Sequence, residues 1–257
     1  MEFYMKNKQT RLVVFEAEDH ISCITNKVNA TKHAHYYIQM TFGINQDFDL
    51  EVENTKEELR GVIIDSNVPH VLNGNNSWQY YMLINPESNF GLEIKKLFLS
   101  ESSIYKLDFS LIESITHLFT NIECSNSYLS FIRQMMYMLG IPYRINHTLD
   151  DRCVEVINFI KQGSLNQYTI SSLAKHVYLS ESRLSHLFKK EVGISLSSYV
   201  VHEKLRKAFA LIFAGNSLTD SALAAGFSNS SHFSQCVREK LGMTPSIIAK
   251  DSRYLKV

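Results

Sequence analysis

The sequence predicts an α+β protein of more than one domain. Its N-terminal part is a β-rich barrel or sandwich with helices, and its C-terminal part is an all-α domain with two helix-turn-helix motifs joined by a long helix. Three observations predict this: strand-like runs with turn signals in residues 10–85, helical spacing of apolar residues in 90–140, and a pattern in 169–193 that returns in 217–242. At about 100–200 residues per domain, a chain of 257 residues has room for two.

Composition excludes several classes of protein. With 45% apolar and 20% charged residues, the chain buries sizeable cores and is not disordered throughout. No stretch of about 18 consecutive apolar residues occurs, so no membrane span is expected. The first eight residues lack the apolar core of a secretory signal, and the four cysteines are too sparse for a disulfide framework. Free thiols in a reducing cytoplasm are expected.

The net charge of zero conceals a division between the two halves of the chain. Residues 1–149 hold 12 basic and 17 acidic side chains, a net charge of −5, whereas residues 150–257 hold 14 and 9, a net charge of +5. Such asymmetry predicts that the second half of the chain binds a polyanion and that the first half does not.

The N-terminal strands are predicted from short β-rich runs. These runs are Arg11–Phe15, Tyr36–Phe42, Phe48–Val52, Gly61–Ile64 and Trp78–Ile84. In the third run, apolar residues alternate with acidic ones, which indicates a strand with one solvated face. The sequence Asn73-Gly74-Asn75-Asn76 is a strong turn signal. Several strands at this spacing predict a small barrel or sandwich.

Two helices follow the predicted strands. In the first, apolar residues recur from Leu107 to Ile122 at spacings of three and four; the second extends from Tyr128 to Leu139, before Gly140 and Pro142. These helices either cover the sheet or form the seam of a dimer. We favour the dimer seam, because linking two chains raises the effective concentration of weakly specific DNA-binding motifs at paired sites.

An internal repeat organises the C-terminal part. Ile170, Ala174 and Ser180 match Leu218, Ala222 and Ser228 at a separation of 48 residues. After one inserted residue the separation is 49, and Leu184, Phe188, Lys189 and Gly193 match Phe233, Val237, Arg238 and Gly242. One structural unit therefore occurs twice.

Each copy has the pattern of a helix-turn-helix. A short helix carries a small residue, Ala174 or Ala222, where a second helix crosses closely. Ser180 or Ser228 is then predicted to cap an amphipathic second helix that ends at Gly193 or Gly242. Between the copies, residues 196–214 predict one helix of about 28 Å at 1.5 Å per residue. A spacer of that length suits two recognition helices roughly one DNA turn apart.

Residues of about 150–250 resemble the DNA-binding domain of AraC/XylS-type transcription regulators. The resemblance rests on Gly226-Phe227-Ser228-Asn229-Ser230-Ser231-His232-Phe233-Ser234, on Gly242-Met243-Thr244-Pro245, and on Leu187-Phe188-Lys189-Lys190 in the first copy. It implies a DNA-binding regulator, usually an activator that contacts RNA polymerase. The chain departs from the family pattern at Lys204, Ser221, Val237-Arg238 and Ile248-Ala249, so the resemblance implies DNA contact by the first copy more directly than by the second.

The resemblance places base-reading residues in the N-terminal part of each second helix. These candidates are Ser182, Arg183, Ser185 and His186 in the first copy, and Ser230, Ser231, Ser234 and Gln235 in the second. Arginine suits guanine and glutamine suits adenine, whereas serine discriminates little, so phosphate contacts and DNA shape should supply much of the affinity. The phosphate-contacting candidates are Lys189, Lys190, Arg206, Lys207 and Arg238.

The N-terminal part has a pattern similar to the metal-binding motifs of cupins. His33, His35 and His70 fall at three of the four ligand positions, and Gln39 occupies the place of the usual glutamate. Residues 33 and 35 would point the same way on one strand. Because a neutral amide is a poor replacement for glutamate, we expect no metal and no cofactor. A pocket for a small organic effector is favoured instead, with His35, Tyr37, His70, Trp78 and Tyr80 as ligand-binding candidates and Met40, Phe42 and Met82 in its walls.

Together these patterns predict three parts: a cupin-like sensor barrel at 1–95, a helical dimerisation segment at 96–147, and a double helix-turn-helix DNA-binding domain of the AraC type at 150–257. The predicted function is that of a non-enzymatic, sequence-specific transcription activator. Its expected partners are double-stranded DNA, a second copy in a homodimer, RNA polymerase and a small-molecule effector. The alternative is a cupin-type metalloenzyme with an appended helical domain.

Overall fold

The structure is a computed structural model of the full chain, and it describes residues 12–17, 19–26, 28–122, 124–142, 149–162, 169–241, 244–249 and 252–256. The chain forms two compact units. One comprises Met1–Ile145 together with Lys240–Val257, and the other comprises Asn146–Glu239. The N-terminal unit is β-rich and the second unit is helical, as the alternating and helical patterns predict.

Two sheets form the β-rich unit. The strands are β1 (Leu12–Glu16), β2 (His20–Thr25), β3 (Asn29–His33), β4 (Ile38–Gly43), β5 (Phe48–Val52), β6 (Thr55–Leu59), β7 (Gly61–Ile64), β8 (His70–Asn73), β9 (Gln79–Ile84), β10 (Ile104–Lys106) and β11 (Ser252–Lys256). The order is β10-β7-β4-β9-β2-β1-β11 in the seven-stranded sheet and β3-β8-β5-β6 in the four-stranded sheet. All pairs are antiparallel except β1 with β11, which is parallel.

The strand β11 explains why the last residues belong to the first unit. Its backbone pairs with β1 from Leu12↔Ser252 to Glu16↔Lys256, so the end of the chain completes the edge of the seven-stranded sheet. A domain boundary drawn at 257 from the repeat alone does not foresee this pairing, because sheet partners far apart in sequence leave no local periodic signal.

The five predicted strands occur with small shifts at their ends, and the alternation in β5 is confirmed. Phe48, Leu50 and Val52 are buried, and the two acidic residues between them are partly exposed. At the predicted turn, Asn75 and Asn76 have positive φ angles of 52° and 57°, a conformation that asparagine tolerates better than most residues.

Helices cover one face of the seven-stranded sheet. They are α1 (Asn89–Phe98), α2 (Phe109–His117), a 3-10 turn at Leu118–Asn121 and α3 (Ser125–Met138). The stripe that predicted a dimer seam is buried in this core: Ile115, Phe119, Tyr128 and Met135 are each at most 2% exposed and pack with sheet residues. Because these side chains already have partners within the unit, a dimer formed here would have to use other faces of the helices.

The second unit is built from helices. They are α4 (Asp151–Gln162), α5 (Ile170–His176), α6 (Glu181–Val192), α7 (Leu196–Phe213), α8 (Leu218–Ala225) and α9 (Ser230–Leu241), whose last two residues, together with α10 (Pro245–Ala249), belong to the first unit. The long spacer helix α7 ends one residue before its prediction and spans about 27 Å. Among the described residues, no helix combines the length and hydropathy that crossing a bilayer requires.

Candidate DNA-binding surface and histidine cluster

The first helix-turn-helix comprises α5 and α6. Ser180 caps α6 by accepting a hydrogen bond from the Arg183 amide, and Gly193 ends it in the left-handed conformation at φ 87°. Both termini therefore agree with the sequence prediction. Ala174 is 1% exposed where the helices pack, and Leu184 and Phe188 are fully buried, so the polar face of α6 is turned away from the core.

The turn of this motif holds an unusual tyrosine. Tyr178 has a positive φ of 55° and its side chain is 96% exposed. The matching residue of the second motif, 48 positions later, is Gly226 at φ 98°. The fold requires left-handed backbone at this turn, and the first copy meets the requirement with a residue that has a Cβ.

The second helix-turn-helix comprises α8 and α9, and its helix N-cap differs from the prediction. Asn229, not Ser228, caps α9, because the Asn229 Oδ1 accepts from the amide of His232 at 2.7 Å. The first helices start 48 residues apart, at Ile170 and Leu218, whereas the second helices start 49 apart. The inserted residue thus lies in the turn before the N-cap, and the prediction that Ser228 caps the helix is wrong.

The separation of 49 residues between the starts of α6 and α9 sets which residues of the two recognition helices correspond. Ser182, Ser185 and His186 correspond to Ser231, Ser234 and Gln235, and all six are among the candidates named from the sequence. Arg183 corresponds to His232, which sequence reasoning missed, and Ser230 corresponds to Glu181 at the first helical position. An asparagine just before a helical pattern is the signal that would have located this N-cap.

Most of the candidate base-reading residues are accessible. Ser182, Arg183, His186, Ser231 and Gln235 are exposed, and Ser185, Ser230 and Ser234 are partly exposed. His232 is also exposed; its ring packs on Phe227 at 5.5 Å between centroids, and its Nδ1 lies 3.1 Å from the Ser228 Oγ.

The candidate phosphate contacts differ in how freely their charges are presented. Lys189, Lys190 and Arg238 are exposed and Lys207 is partly exposed. Arg206 is bound within its own helix, because its Nε donates to the buried Glu203 carboxylate at 3.1 Å. Of the five candidates, Arg206 is therefore the least suited to reach a phosphate.

The two recognition helices arrange their charges differently. At the position of Lys190 in α6, helix α9 has Glu239, whose carboxylate accepts from the Gln235 Nε2 at 2.8 Å. In α6 the cations Lys189 and Lys190 are adjacent, and the Lys190 Nζ lies 3.7 Å from the Glu191 carboxylate, whereas in α9 Arg238 and Lys240 stand on either side of Glu239. The adjacent cations of α6 suit contact with a polyanion.

A lysine holds the second motif against the spacer helix. The Lys204 Nζ on α7 donates to the Gly226 carbonyl at 2.8 Å, just beyond the end of α8. A cation there satisfies a carbonyl group at a helix C-terminus and is favoured by the helix dipole. The departure from the family's arginine at position 204 thus retains a structural role.

In the N-terminal unit, three histidines and a glutamine form a buried cluster. His33 ends β3, His70 begins β8, Gln39 lies on β4, and His35 lies in the connection between β3 and β4. One ring nitrogen of each histidine lies within 4.8 Å of the others. The prediction that His33 and His35 share one strand is wrong, yet both rings reach the cluster, because it lies where residues from the two sheets converge.

Hydrogen bonds fix the orientation of all three rings. The Nδ1 atoms of His33, His35 and His70 donate to the carbonyl oxygens of Thr31, Tyr37 and Val68 at 2.8, 3.0 and 2.8 Å. Burial, together with the charge of the neighbouring imidazoles, lowers the pKa of His33 to about 4 and that of His35 to about 3. Burial also lowers the pKa of His70. The rings are therefore neutral at pH 7.

The candidate ligand-binding residues do not converge on one pocket. His35, Tyr37 and His70 lie together, with the His35 and Tyr37 ring centroids 6.2 Å apart. Tyr80 packs instead in the helix-covered core, as do Met40, Phe42 and Met82, with Trp78 against it. Side chains alternate between the two faces of a strand, so Tyr80 and Tyr81 on β9 face opposite ways. The predicted set is divided between two sides of the seven-stranded sheet.

Comparison with known proteins supports the helix-turn-helix assignment. Residues 173–251 match the family model described as a helix-turn-helix domain. The probable transcriptional regulator LumQ of Photobacterium leiognathi is 26% identical over 233 residues, which are 84% of this chain and 90% of LumQ. The arabinose operon regulatory protein of Escherichia coli is 31% identical over 115 residues, which are 42% of this chain and 38% of that protein.

Several regulators are matched only in part. The chain spans between 35% and 40% of the length of the arabinose operon proteins and of the regulator YfiF of Bacillus subtilis. Among solved structures, apo ToxT from Vibrio cholerae has a TM-score of 0.59 at 11% identity, covering 93% of this chain and 95% of ToxT. Unsaturated fatty acid-bound ToxT has a TM-score of 0.55 at 12% identity, covering 91% and 95%. At such low identity the likeness shows a shared two-domain fold.

Two helix-turn-helix motifs on one spacer helix, with exposed polar faces and a matching family model, define a DNA-binding protein. The family model matches residues 173–251, and the relatives to which the chain is similar are named as regulators. The helical part of the chain is therefore a helix-turn-helix domain similar to those of AraC-type regulators, and the chain is a DNA-binding transcription regulator.

Proposed function

We propose that the protein binds two adjacent boxes of a duplex through the N-terminal halves of α6 and α9, and thereby activates transcription. The observation that carries this proposal is the repeated presentation of a polar helix face opposite a buried one in both motifs. Recognition helices enter the major groove in this way, with their N-terminal residues at base edges.

Recognition is unequal between the two boxes in this proposal. Ser182, Arg183, Ser185 and His186 face the first box, with Lys189 and Lys190 toward its phosphates. Ser231, His232, Ser234 and Gln235 face the second box, with Ser230 at the helix start and Arg238 toward phosphate. Because Glu239 stands between Arg238 and Lys240, the second helix lacks the adjacent cations of the first and gains less from the release of counterions. We infer that the first box carries most of the specificity, because Arg183 can contact guanine bidentately.

The N-terminal unit is proposed to be a cupin-like regulatory module that responds to a small molecule and supports a homodimer. Its fold likeness to ToxT, of which a fatty acid-bound structure exists, supports a sensory role. RNA polymerase is the proposed partner in activation. The protein acts in the cytoplasm without catalysing a reaction, and the effector shifts the population between DNA-competent and incompetent states.

The proposal is tested by selecting pooled random duplexes with the full-length protein at two salt concentrations. The expected product is a motif of two boxes about one helical turn, or 34 Å, apart, and its duplication would indicate dimeric binding. A retained pool without any enriched sequence, or no retention at either salt, would contradict sequence-specific recognition.

Single substitutions then show which recognition helix contacts which box of the duplex. Arg183→Gln should relax specificity in the first box and weaken binding by about 1–3 kcal/mol, and His232→Ala should alter only the second box. Glu239→Lys, which gives the second helix the charge pair of the first, should tighten binding and steepen its salt dependence. The exposed Ala224 on α8 provides a matched control in Ala224→Ser, which should leave both boxes unchanged.

A further inference from the structure

We propose that the cluster of His33, His35 and His70, with Gln39 as fourth ligand, binds one divalent transition-metal ion. The inference goes beyond DNA binding and does not depend on it. It also differs from the expectation that replacing glutamate with Gln39 leaves the site without metal. The reason lies in the arrangement of lone pairs within the cluster.

The positions of the histidine protons decide which ring nitrogens can bind a cation. Each Nδ1 gives its hydrogen to a backbone carbonyl, so a neutral ring keeps only a lone pair on Nε2. Metal-ligating histidines typically have this second hydrogen bond, which fixes the ring orientation and the tautomer. All three Nε2 atoms of the cluster are therefore prepared as ligands.

The carbonyl oxygen of Gln39 faces two of these nitrogens. The Gln39 Oε1 lies 2.9 Å from the His35 Nε2 and 3.0 Å from the His70 Nε2, and the Tyr81 hydroxyl donates to it at 2.6 Å. Without a cation, two nitrogen lone pairs face a carbonyl oxygen at hydrogen-bond distance with no proton between them. An ion placed among the four atoms converts this repulsion into attraction.

A rotated amide does not resolve the conflict as well. Turned by 180°, Gln39 would offer two N–H groups to three facing atoms, namely the nitrogens of His35 and His70 and the oxygen of Tyr81. The rotation would also supply no donor to the Nε2 of His33, which is buried and has no hydrogen-bond partner among the residues that the structure describes. A metal ion uses this buried nitrogen as its third imidazole ligand.

The dimensions and the chemistry of the site suit such an ion. Metal–nitrogen bonds of about 2.0–2.1 Å place the ligands of a tetrahedral ion roughly 3.3 Å apart, which the cluster reaches by small shifts from its present separations. Three imidazoles with a neutral oxygen favour Zn²⁺, Ni²⁺, Co²⁺ or Fe²⁺ over Mg²⁺ and Ca²⁺, which prefer oxygen ligands.

The test uses the full-length chain, stripped with a chelator and titrated by calorimetry with Zn²⁺, Co²⁺, Ni²⁺ or Mg²⁺. We expect one equivalent of a transition metal per chain, a raised melting temperature, and no binding of Mg²⁺. Bound Co²⁺ should show ligand-field absorption without a thiolate charge-transfer band, which excludes the four free cysteines as the ligands.

Variants locate the ion. His33→Gln and His70→Gln should each weaken binding by more than tenfold, and Tyr81→Phe, which removes the donor to Gln39, by about tenfold. His117→Gln removes an exposed histidine of α2 and is the matched control, with unchanged binding expected. Equal loss in the control, or stoichiometric binding that persists in His33→Gln and His70→Gln, would overturn the assignment.

A gain-of-function variant keeps the test decisive if the histidine variants fail to fold. Gln39→Glu places a carboxylate in the fourth position, so it should tighten Zn²⁺ binding and increase the metal-induced rise in melting temperature. A cluster that serves only as a hydrogen-bonded network would show no metal-induced rise in either the parent chain or Gln39→Glu, and that result would refute the proposal.

Discussion

Replacing Tyr178 with glycine should stabilise the helical unit. The residue sits at φ 55° in the turn between α5 and α6, and the equivalent turn of the second motif uses Gly226 at φ 98°. For a residue with a Cβ, left-handed backbone costs about 1–2 kcal/mol. Glycine removes that cost but loses about 0.5–1 kcal/mol through the greater freedom of its unfolded chain. The net gain is about 0.5–1 kcal/mol.

The side chain itself contributes little to this balance. Tyr178 is 96% exposed, so removing its ring sacrifices little buried apolar area. Tyr178→Ala is therefore the matched control, because it removes the ring but keeps the Cβ that causes the strain. It should leave stability close to that of the parent chain.

Hydrogen exchange followed by mass spectrometry is the suitable assay, because it reports on peptides of the helical unit within the intact two-unit chain. A gain of about 0.5–1 kcal/mol should slow the exchange of peptides from α5 and α6 about two- to fivefold in Tyr178→Gly. If Tyr178→Gly gains no more protection than Tyr178→Ala, backbone strain at this turn is refuted as the reason.

Three further predictions concern binding and packing. Lys189→Gln should weaken DNA binding about equally across sequences and reduce the slope of log affinity against log salt by about 1, measured by fluorescence anisotropy; a change confined to one box would indicate base contact instead. Ala222→Leu should overpack the fully buried contact of α8 and lower stability by about 1–3 kcal/mol in urea unfolding, whereas Ala224→Leu on the exposed face should cost little. Tyr128→Phe should cost about 1–3 kcal/mol, because it removes the hydroxyl that lies 2.6 Å from the buried His20 Nε2; an unchanged melting temperature would show that this bond contributes nothing net.

Much of the fold was predictable because its signals are local. Alternation located β5, and helical spacing with a glycine stop located α3 and α6. The repeat identified two helix-turn-helix motifs, since a motif of two short helices places its small, capping and apolar residues at fixed offsets. For the candidate site, the sequence named seven of the eight positions that correspond between α6 and α9, and the structure adds His232 at the position of Arg183; their role in reading bases stays a prediction.

The remaining features depended on contacts between residues distant in sequence. Pairing of β11 with β1 brings strands from the two ends of the chain into one sheet. No periodic pattern in the sequence predicts which strand a terminal segment pairs with. Burial of the α2 and α3 stripe against the sheet removed the basis for placing a dimer seam there, because an apolar helix face looks the same whichever surface covers it.

The sequence by itself determined the class of this protein: its repeat, its basic C-terminal half and its motif residues define a DNA-binding regulator. Only the tertiary structure decided which side chains meet. It moved the helix cap to Asn229, bound Arg206 to Glu203, and brought His33, His35 and His70 around Gln39 from separate strands and a connection. Local periodicity fixes which face of an element is apolar, but strand register and packing fix which atoms lie within bonding distance.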